Sequence, residues 1–113
     1  MLALALSEGI ILMKKANVDP KIFLEILNST YFKTGMSEKK AFKMVDSKYD
    51  ATFTLSNLKK DISTITSAAE SLGIELPMIK KAEQVYENAV KEGFGEIDYT
   101  GIIEYIKKIN NLK

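Results

Sequence analysis

The sequence predicts an all-α domain, a compact bundle of five to six helices joined by short connectors. Apolar residues recur at steps of three and four in several segments, and no segment alternates apolar and polar residues with a period of two. Asp, Pro and Gly stand where such helices would begin and end. A chain of 113 residues suffices for one buried core. We therefore expect residues 1–113 to form a single helical domain.

Composition excludes several classes of site. The chain contains neither Cys nor His, so it lacks thiolate ligands, the commonest metal ligand and the commonest general base, and we expect no metal site. All 16 basic residues are Lys, and the formal net charge is +1. Arg is the preferred residue for phosphate and guanine contacts. We therefore expect no binding to nucleic acid.

The first predicted helix, about Leu2 to Ala16, is apolar on nearly every side, which is typical of a helix surrounded by protein. A partner subunit or an absent domain would cover one side. Its apolar run is shorter than the roughly twenty residues that span a bilayer, and no basic residue precedes it as in a secretory signal. We expect a cytoplasmic protein without membrane contact. No capping residue precedes Leu2, so the chain reads as if it begins inside a helix.

Two shorter helices should follow. Asp19 and Pro20 predict an N-cap and a first helical residue, and the second helix continues to about Ser29. After a loop, Ser37 is predicted to cap a third helix that ends at about Val45.

The central helix has the clearest helical period of the chain. Gly73 should end it, because glycine adopts the left-handed conformation at least cost. At about 100° per residue, Asp61 falls beside the apolar stripe and Lys60 points almost directly away from it. The stripe consists of Leu55, Leu58, Ile62, Ile65, Ala69 and Leu72.

Two more helices complete the prediction. One opens at Pro77 and stops at Gly93-Phe94-Gly95. The last has Asp98 as its N-cap. Its predicted buried stripe consists of Ile102, Ile103, Ile106 and Ile109.

The order of residues in the second half of the chain resembles a known family. Phe53-x-Leu55-x-x-x-x-Lys60-Asp61-Ile62 is followed by Gly73, Leu76-Pro77, Tyr86, Gly93-x-Gly95 and Asp98. This order and spacing resemble the carboxy-terminal helical domain of the β-hydroxyacid dehydrogenases. That family includes 3-hydroxyisobutyrate dehydrogenase and tartronate semialdehyde reductases and is related to 6-phosphogluconate dehydrogenase. The resemblance covers almost the whole chain.

The resemblance implies a partner domain upstream, a Rossmann domain that binds NAD or NADP, and a homodimer formed through helical surfaces. The six glycines of this chain never form the G-x-G-x-x-G fingerprint. The catalytic lysine would also lie upstream, since Lys14 and Lys15 stand at the far end of the first helix. We therefore expect a domain truncated at its N-terminus and inactive alone. It would be the substrate-side and dimerisation part of an oxidoreductase acting on a small 3-hydroxy acid or semialdehyde.

The same resemblance gives roles to three residues. Lys60 would reach the cleft near the nicotinamide and the substrate, Phe53 would pack nearby, and Asp61 would support the cleft; no catalytic residue is expected in this chain. From the residues alone, Lys60 is a solvated lysine, Phe53 a core aromatic, and Asp61 a partner in a structural hydrogen bond. The alternative function is a free-standing helical module that binds another protein through its apolar first helix.

Overall fold

The computed structural model describes residues 2–49 and 52–112; Met1, Asp50, Ala51 and Lys113 lie outside the described residues. The described residues form seven α-helices, with a π-helical turn (Val90–Phe94) and a 3-10 turn (Tyr99–Gly101) before the last one. The all-α prediction is confirmed. The helices are α1 (Leu2–Lys15), α2 (Pro20–Asn28), α3 (Gly35–Lys39), α4 (Ala41–Val45), α5 (Leu55–Leu72), α6 (Pro77–Ala89) and α7 (Ile102–Ile109).

Several helix ends lie where the sequence predicts them. The Asp19 side chain accepts a hydrogen bond from the backbone N–H of Lys21, and Pro20 is the first residue of α2. Gly73 ends α5 in the left-handed conformation, with φ of 69°. Pro77 opens α6.

The prediction of one helix capped by Ser37 is wrong. Two short helices, α3 and α4, meet at Lys40, and Thr34 caps the first of them. Ser37 lies one turn inside α3, where it is buried and its hydroxyl accepts a hydrogen bond from the backbone N–H of Thr34 at 2.8 Å. Both Thr34 and Ser37 are good capping residues. Their reciprocal bonds form a capping box in which Thr34 is the N-cap, whereas the sequence-based prediction named Ser37 as the cap.

The core has two parts, which meet along α1. The larger part packs α1, α5, α6 and α7 around Ile10, Leu55, Tyr86, Ile102 and Ile103, each of which is 0% exposed. The smaller part packs α1 against α2 and α4 through Leu6, Leu24 and Ala41. Leu12 of α1 nevertheless remains 62% exposed. The described residues therefore leave one face of this apolar helix uncovered.

Two of the predicted buried stripes are only partly buried. Leu55, Ile62 and Ala69 of α5 are buried, but Ile65 is 45% exposed and Leu72 is 75% exposed. Half-buried Thr66, four residues after Ile62, continues the line that faces the core. In α7, Ile109 is also exposed because it lies in the final turn.

Candidate functional site

The first turn of α5 is fastened to the segment that joins α6 to α7. The backbone N–H of Leu55 donates to the carbonyl of Ile97 at 2.8 Å, and the N–H of Tyr99 donates to the carbonyl of Phe53 at 2.8 Å. These bonds flank an isolated antiparallel bridge between Thr54 and Asp98. The position of Phe53 is therefore set by residues more than forty positions later in the chain.

Gly95 allows the two segments to approach this closely. The N–H of Ser56 donates to the carbonyl of Gly95 at 2.9 Å. A Cβ atom at position 95 would collide with the Ser56 hydroxyl. The residue predicted to stop the preceding helix thus has a second role, which is to let the start of α5 lie against it.

Asp98 is the centre of this junction. Its side chain is 1% exposed. Its Oδ1 atom accepts hydrogen bonds from the backbone N–H groups of Thr52 (3.1 Å) and Phe53 (3.2 Å) and from the Thr52 hydroxyl. Its Oδ2 atom accepts from the Thr100 hydroxyl at 2.6 Å and lies 3.6 Å from the Lys40 ammonium. Both carboxylate oxygens are thus fully engaged.

These contacts also set the charge of Asp98. Burial alone would raise the pKa of its carboxyl group. Hydrogen bonds from the Thr100 side chain and from the backbone of Phe53 and Thr100, together with the Lys40 charge, outweigh burial and lower the pKa below its usual value. These contacts therefore favour the anionic form of Asp98, which holds the start of α5 in place.

An aromatic pair extends from this anchor to the surface. The rings of Phe53 and Tyr99 meet edge to face, with centroids 6.3 Å apart and an interplanar angle of 67°. The Lys40 ammonium lies 4.5 Å from the centroid of the Tyr99 ring. Phe53 is 37% exposed, so it is neither a core residue nor a freely solvated one.

Lys60 and Asp61 lie on the outer face of α5, and both are exposed. Within residues 2–49 and 52–112, no hydrogen bond or ion pair involves the Lys60 ammonium or the Asp61 carboxylate. The structure thus places Phe53, Lys60 and Asp61 in the same part of the chain, at and after the start of α5. The Lys60 ammonium and the Asp61 carboxylate do not pair with each other. The internal hydrogen bond expected of Asp61 is not found among the described residues, and its supporting role in a cleft stays a prediction.

The residues beside Lys60 on this face have short side chains, and all but one of them are polar. The Thr64 hydroxyl donates to the Lys60 carbonyl at 3.1 Å. The exposed neighbours on the same face are Asn57, Thr64, Ser67, Ala68 and Ser71.

Sequence analysis missed the Asp98 junction as a unit. It placed Asp98 at the start of the last helix, where the side chain in fact caps the 3-10 turn. It gave no role to Lys40, Thr52 or Thr100. Lys40 precedes Asp98 by nearly sixty residues, and no helical or strand period links positions so far apart. The available signal was the family order, in which Phe53 and Asp98 already appear together.

The described residues contain neither a membrane-spanning helix nor a cluster of metal ligands. None of the helices between residues 2 and 112 is long and apolar enough to cross a membrane. No group of three or more acidic residues in the described ranges is placed to hold a metal ion.

Comparison with known proteins gives concordant similarities. A family model described as the NAD-binding domain of NADP-dependent 3-hydroxyisobutyrate dehydrogenase matches residues 1–106. Glyoxylate/succinic semialdehyde reductase 2 (chloroplastic) of Arabidopsis thaliana is 29% identical over 101 residues, which cover 89% of this chain and 28% of that protein. The uncharacterized oxidoreductase YfjR of Bacillus subtilis is 32% identical over 104 residues, which cover 91% of this chain and 36% of that protein.

The fold is also similar to that of a solved structure. The crystal structure of 3-hydroxyisobutyrate dehydrogenase from Salmonella typhimurium matches with a TM-score of 0.83 and 20% sequence identity, over 91% of this chain and 36% of that one. The chain thus spans only about a third of the length of these three proteins.

Proposed function

The chain belongs to the family of NAD-binding domains of NADP-dependent 3-hydroxyisobutyrate dehydrogenases, and we propose that it forms the substrate-side domain of such an oxidoreductase. Its substrate would be a small 3-hydroxy acid or the matching semialdehyde. The observation that carries the proposal is the exposed ammonium of Lys60, which has no partner among the described residues, about two helical turns beyond an anchored aromatic, Phe53.

The residues at the start of α5 fit a nicotinamide nucleotide. Such a cofactor presents anionic phosphates, a carboxamide and planar rings. No residue in the described ranges uses the donors of the Lys60 ammonium, which can bind an anion or a carbonyl oxygen. The exposed part of Phe53 offers an apolar edge for a planar ring. The small residues around Lys60 leave room for a second surface to approach.

The nicotinamide group, when bound, supplies the acceptor or donor of a hydride. The residues of this chain orient and stabilise the bound groups. Lys60 provides a positive charge beside a substrate carboxylate or a cofactor oxygen, where partial loss of water strengthens the interaction. Phe53 excludes water from one side. Asp98 and Lys40 act through Phe53 by fixing the segment that carries it, so they are positioning residues.

The proposal requires a second domain. The nucleotide fingerprint and the catalytic lysine would be supplied by an upstream Rossmann domain, and NAD or NADP would bind chiefly there. We further propose a homodimer through helical surfaces, which the uncovered face of α1 around Leu12 supports. The isolated chain should show no turnover, and a cytoplasmic location stays a prediction.

The test joins this chain to an N-terminal nucleotide-binding domain, either the one encoded upstream or that of the Bacillus relative. The joined protein is assayed with NAD and NADP against small hydroxy acids and semialdehydes. Lys60→Ala should lower kcat/KM about a hundredfold, the usual effect of removing one preorganised electrostatic group. Lys59→Ala, one position along the same helix, is the matched control and should change kcat/KM less than about twofold.

Unaltered kcat/KM in Lys60→Ala would remove Lys60 from the site. Measurable dehydrogenase activity from the 113 residues alone would refute the need for a second domain. Unfolding curves recorded for both variants separate a loss of function from a loss of fold.

An interaction module is the second candidate. The turn between α5 and α6 exposes three large apolar side chains: Leu72 is 75% exposed, Ile74 is 52% exposed and Met78 is 73% exposed. Clustered exposed apolar residues favour a protein contact. A reading frame that contains no nucleotide-binding domain upstream would favour this candidate over the dehydrogenase.

A further inference from the structure

A second charged cluster lies where α1 and α7 both end. It surrounds a cavity of about 290 Å³. The cavity is bounded on one side by the last turn of α1 and on the other by α7 and the residues after it. Its lining residues are Ile11, Lys14, Lys15, Asn17, Lys107 and Leu112.

Lys107 is buried, with 4% of its surface exposed. Its ammonium donates hydrogen bonds to the Ser47 hydroxyl at 3.1 Å and to Glu104 Oε1 at 3.4 Å. An ammonium has three donors, so one remains available. A lysine is rarely this buried unless its charge is compensated.

Lys14 lies beside Lys107 and is poorly compensated. Its ammonium donates to the backbone carbonyl of Val45 at 3.3 Å. Burial, followed by the charge of Lys107, lowers the pKa of Lys14. Lys15 lines the same cavity and forms no hydrogen bond or ion pair with any residue in the described ranges. Three lysines therefore converge on one cavity.

The nearby carboxylates do not balance these charges. Glu104 accepts hydrogen bonds from the Tyr49 hydroxyl and from Lys107. Asp46 is 3.5 Å from the ammonium of another lysine, Lys21. Four lysines thus face two carboxylates, which leaves an excess of two positive charges. Glu8 lies in the adjoining groove with Lys15 but forms no ion pair with it among the described residues.

The helix ends do not account for the lysines either. Lysines near a helix C-terminus often bond to its last carbonyl groups. Here backbone N–H groups already donate hydrogen bonds to those carbonyls. In α1, the carbonyls of Leu12 and Lys14 accept from Ala16 and Asn17. In α7, the carbonyl of Lys107 accepts from Leu112 at 2.9 Å.

We propose that this cavity, lined by Lys14, Lys15 and Lys107, is a binding site for a phosphate group. A dianion would neutralise the excess of two positive charges. It would also accept hydrogen bonds from the N–H donors that the described residues leave unused. Lysine binds phosphate as a point charge, and lysines from two helices approach a tetrahedral anion from different directions. The Asn17 side-chain amide offers a further donor on the cavity wall. The site is independent of the dehydrogenase proposal, since it shares no residue with the start of α5.

The test is a titration of the ¹⁵N-labelled chain with inorganic phosphate, with chloride adjusted to keep the ionic strength constant. Saturable changes in NMR chemical shift should appear at Asn17, Ser47 and the lysine ammonium groups. Glycerol phosphate and malonate are titrated in parallel. Stronger binding of glycerol phosphate assigns the group to a phosphorylated metabolite, and stronger binding of inorganic phosphate assigns it to the free ion. Stronger binding of malonate overturns the assignment to phosphate.

Lys14→Met and Lys15→Met are the informative variants, because both side chains reach solvent and neither change should prevent folding. Each should weaken phosphate binding about tenfold, as expected for the loss of one charge-assisted contact. Lys81→Met, which removes an exposed lysine from α6, is the matched control and should bind like the parent chain. Shifts that do not saturate, or equal affinity in Lys14→Met and Lys81→Met, would overturn the proposal.

Discussion

The two charged clusters of this domain differ in how completely their charges are satisfied. At the start of α5, one buried carboxylate, Asp98, receives hydrogen bonds from two threonine hydroxyls and three backbone N–H groups and lies beside the Lys40 ammonium. Where α1 and α7 end, Lys14, Lys15 and Lys107 outnumber the carboxylates that face them. A balanced cluster serves the fold, since every donor has its acceptor. An unbalanced cluster indicates a ligand, because a buried charge costs free energy until it is paired.

The strongest test of this contrast is removal of the Asp98 side chain. Asp98→Ala leaves Lys40, two hydroxyls and three backbone N–H groups without their acceptor. The free energy of unfolding should fall by about 3 kcal/mol, as when one partner of a buried ion pair is removed. Urea unfolding followed by circular dichroism measures the change.

Asp61→Ala is the control for Asp98→Ala, because Asp61 is an exposed carboxylate of α5 without a partner in the described ranges. It should alter stability by less than about 0.5 kcal/mol. Equal effects of the two changes would mean that the Asp98 network contributes nothing beyond the loss of one acidic residue.

An uncharged buried hydroxyl tests the same contrast between satisfied and unsatisfied polar groups. Tyr86 is 0% exposed, and its hydroxyl has no hydrogen-bond partner among the described residues. Burial raises the pKa of this hydroxyl. Tyr86→Phe removes an unsatisfied polar atom and should raise the free energy of unfolding by about 1 kcal/mol. Thermal and urea unfolding both report it.

Tyr49→Phe is the matched comparison for Tyr86→Phe. The Tyr49 hydroxyl donates to Glu104, so its removal should lower stability by about 1 kcal/mol. The two substitutions delete the same hydroxyl, which has a partner in half-buried Tyr49 and none among the described residues in fully buried Tyr86. If both changes destabilise the domain, the Tyr86 hydroxyl has a partner in solution.

Sequence reasoning succeeded where the signal is local and periodic. The helical class, the cap at Asp19, the left-handed Gly73 and the opening of α6 at Pro77 each follow from residues within a turn of one another. It failed where two good capping residues competed, at Thr34 and Ser37. It also failed at Ile65 and Leu72, because a helical stripe shows which side faces the core but not how far along the helix the core extends.

Neither charged cluster could be predicted from the helical pattern of the sequence, and the reason differs from the one that applies to the helix ends. The Asp98 junction joins Lys40, Thr52 and Thr100, and the lysine cluster joins the end of α1 to α7. Their members are brought together only by the packing of α1 on α7 and of α5 on the segment before α7. The order of family residues pointed to Phe53 and Lys60, and no periodic signal pointed to Lys14 beside Lys107.

The smallest predicted effect distinguishes the two clusters by pH. The lowered pKa of Asp98 gives stability that is present above the unfolded value of about 3.9 and is lost in acid as pH falls through the folded pKa. Lys14 affects the stability of the domain in the alkaline pH range instead. Because its folded pKa is lowered, the unfolded chain holds more protons than the folded one as pH approaches about 10.4, and stability should rise with pH there.

The free energies of unfolding of the parent chain and of Lys14→Met, measured from pH 8 to 10, isolate this contribution. Their difference should increase with pH by less than about 1 kcal/mol, since Lys14 is partly solvated and its repulsion is screened. Saturating phosphate should abolish the increase, because a bound dianion favours the charged lysine. A pH-independent difference in phosphate-free buffer would mean that neither burial nor Lys107 destabilises the charge of Lys14, and the cluster would then resemble the balanced junction at Asp98.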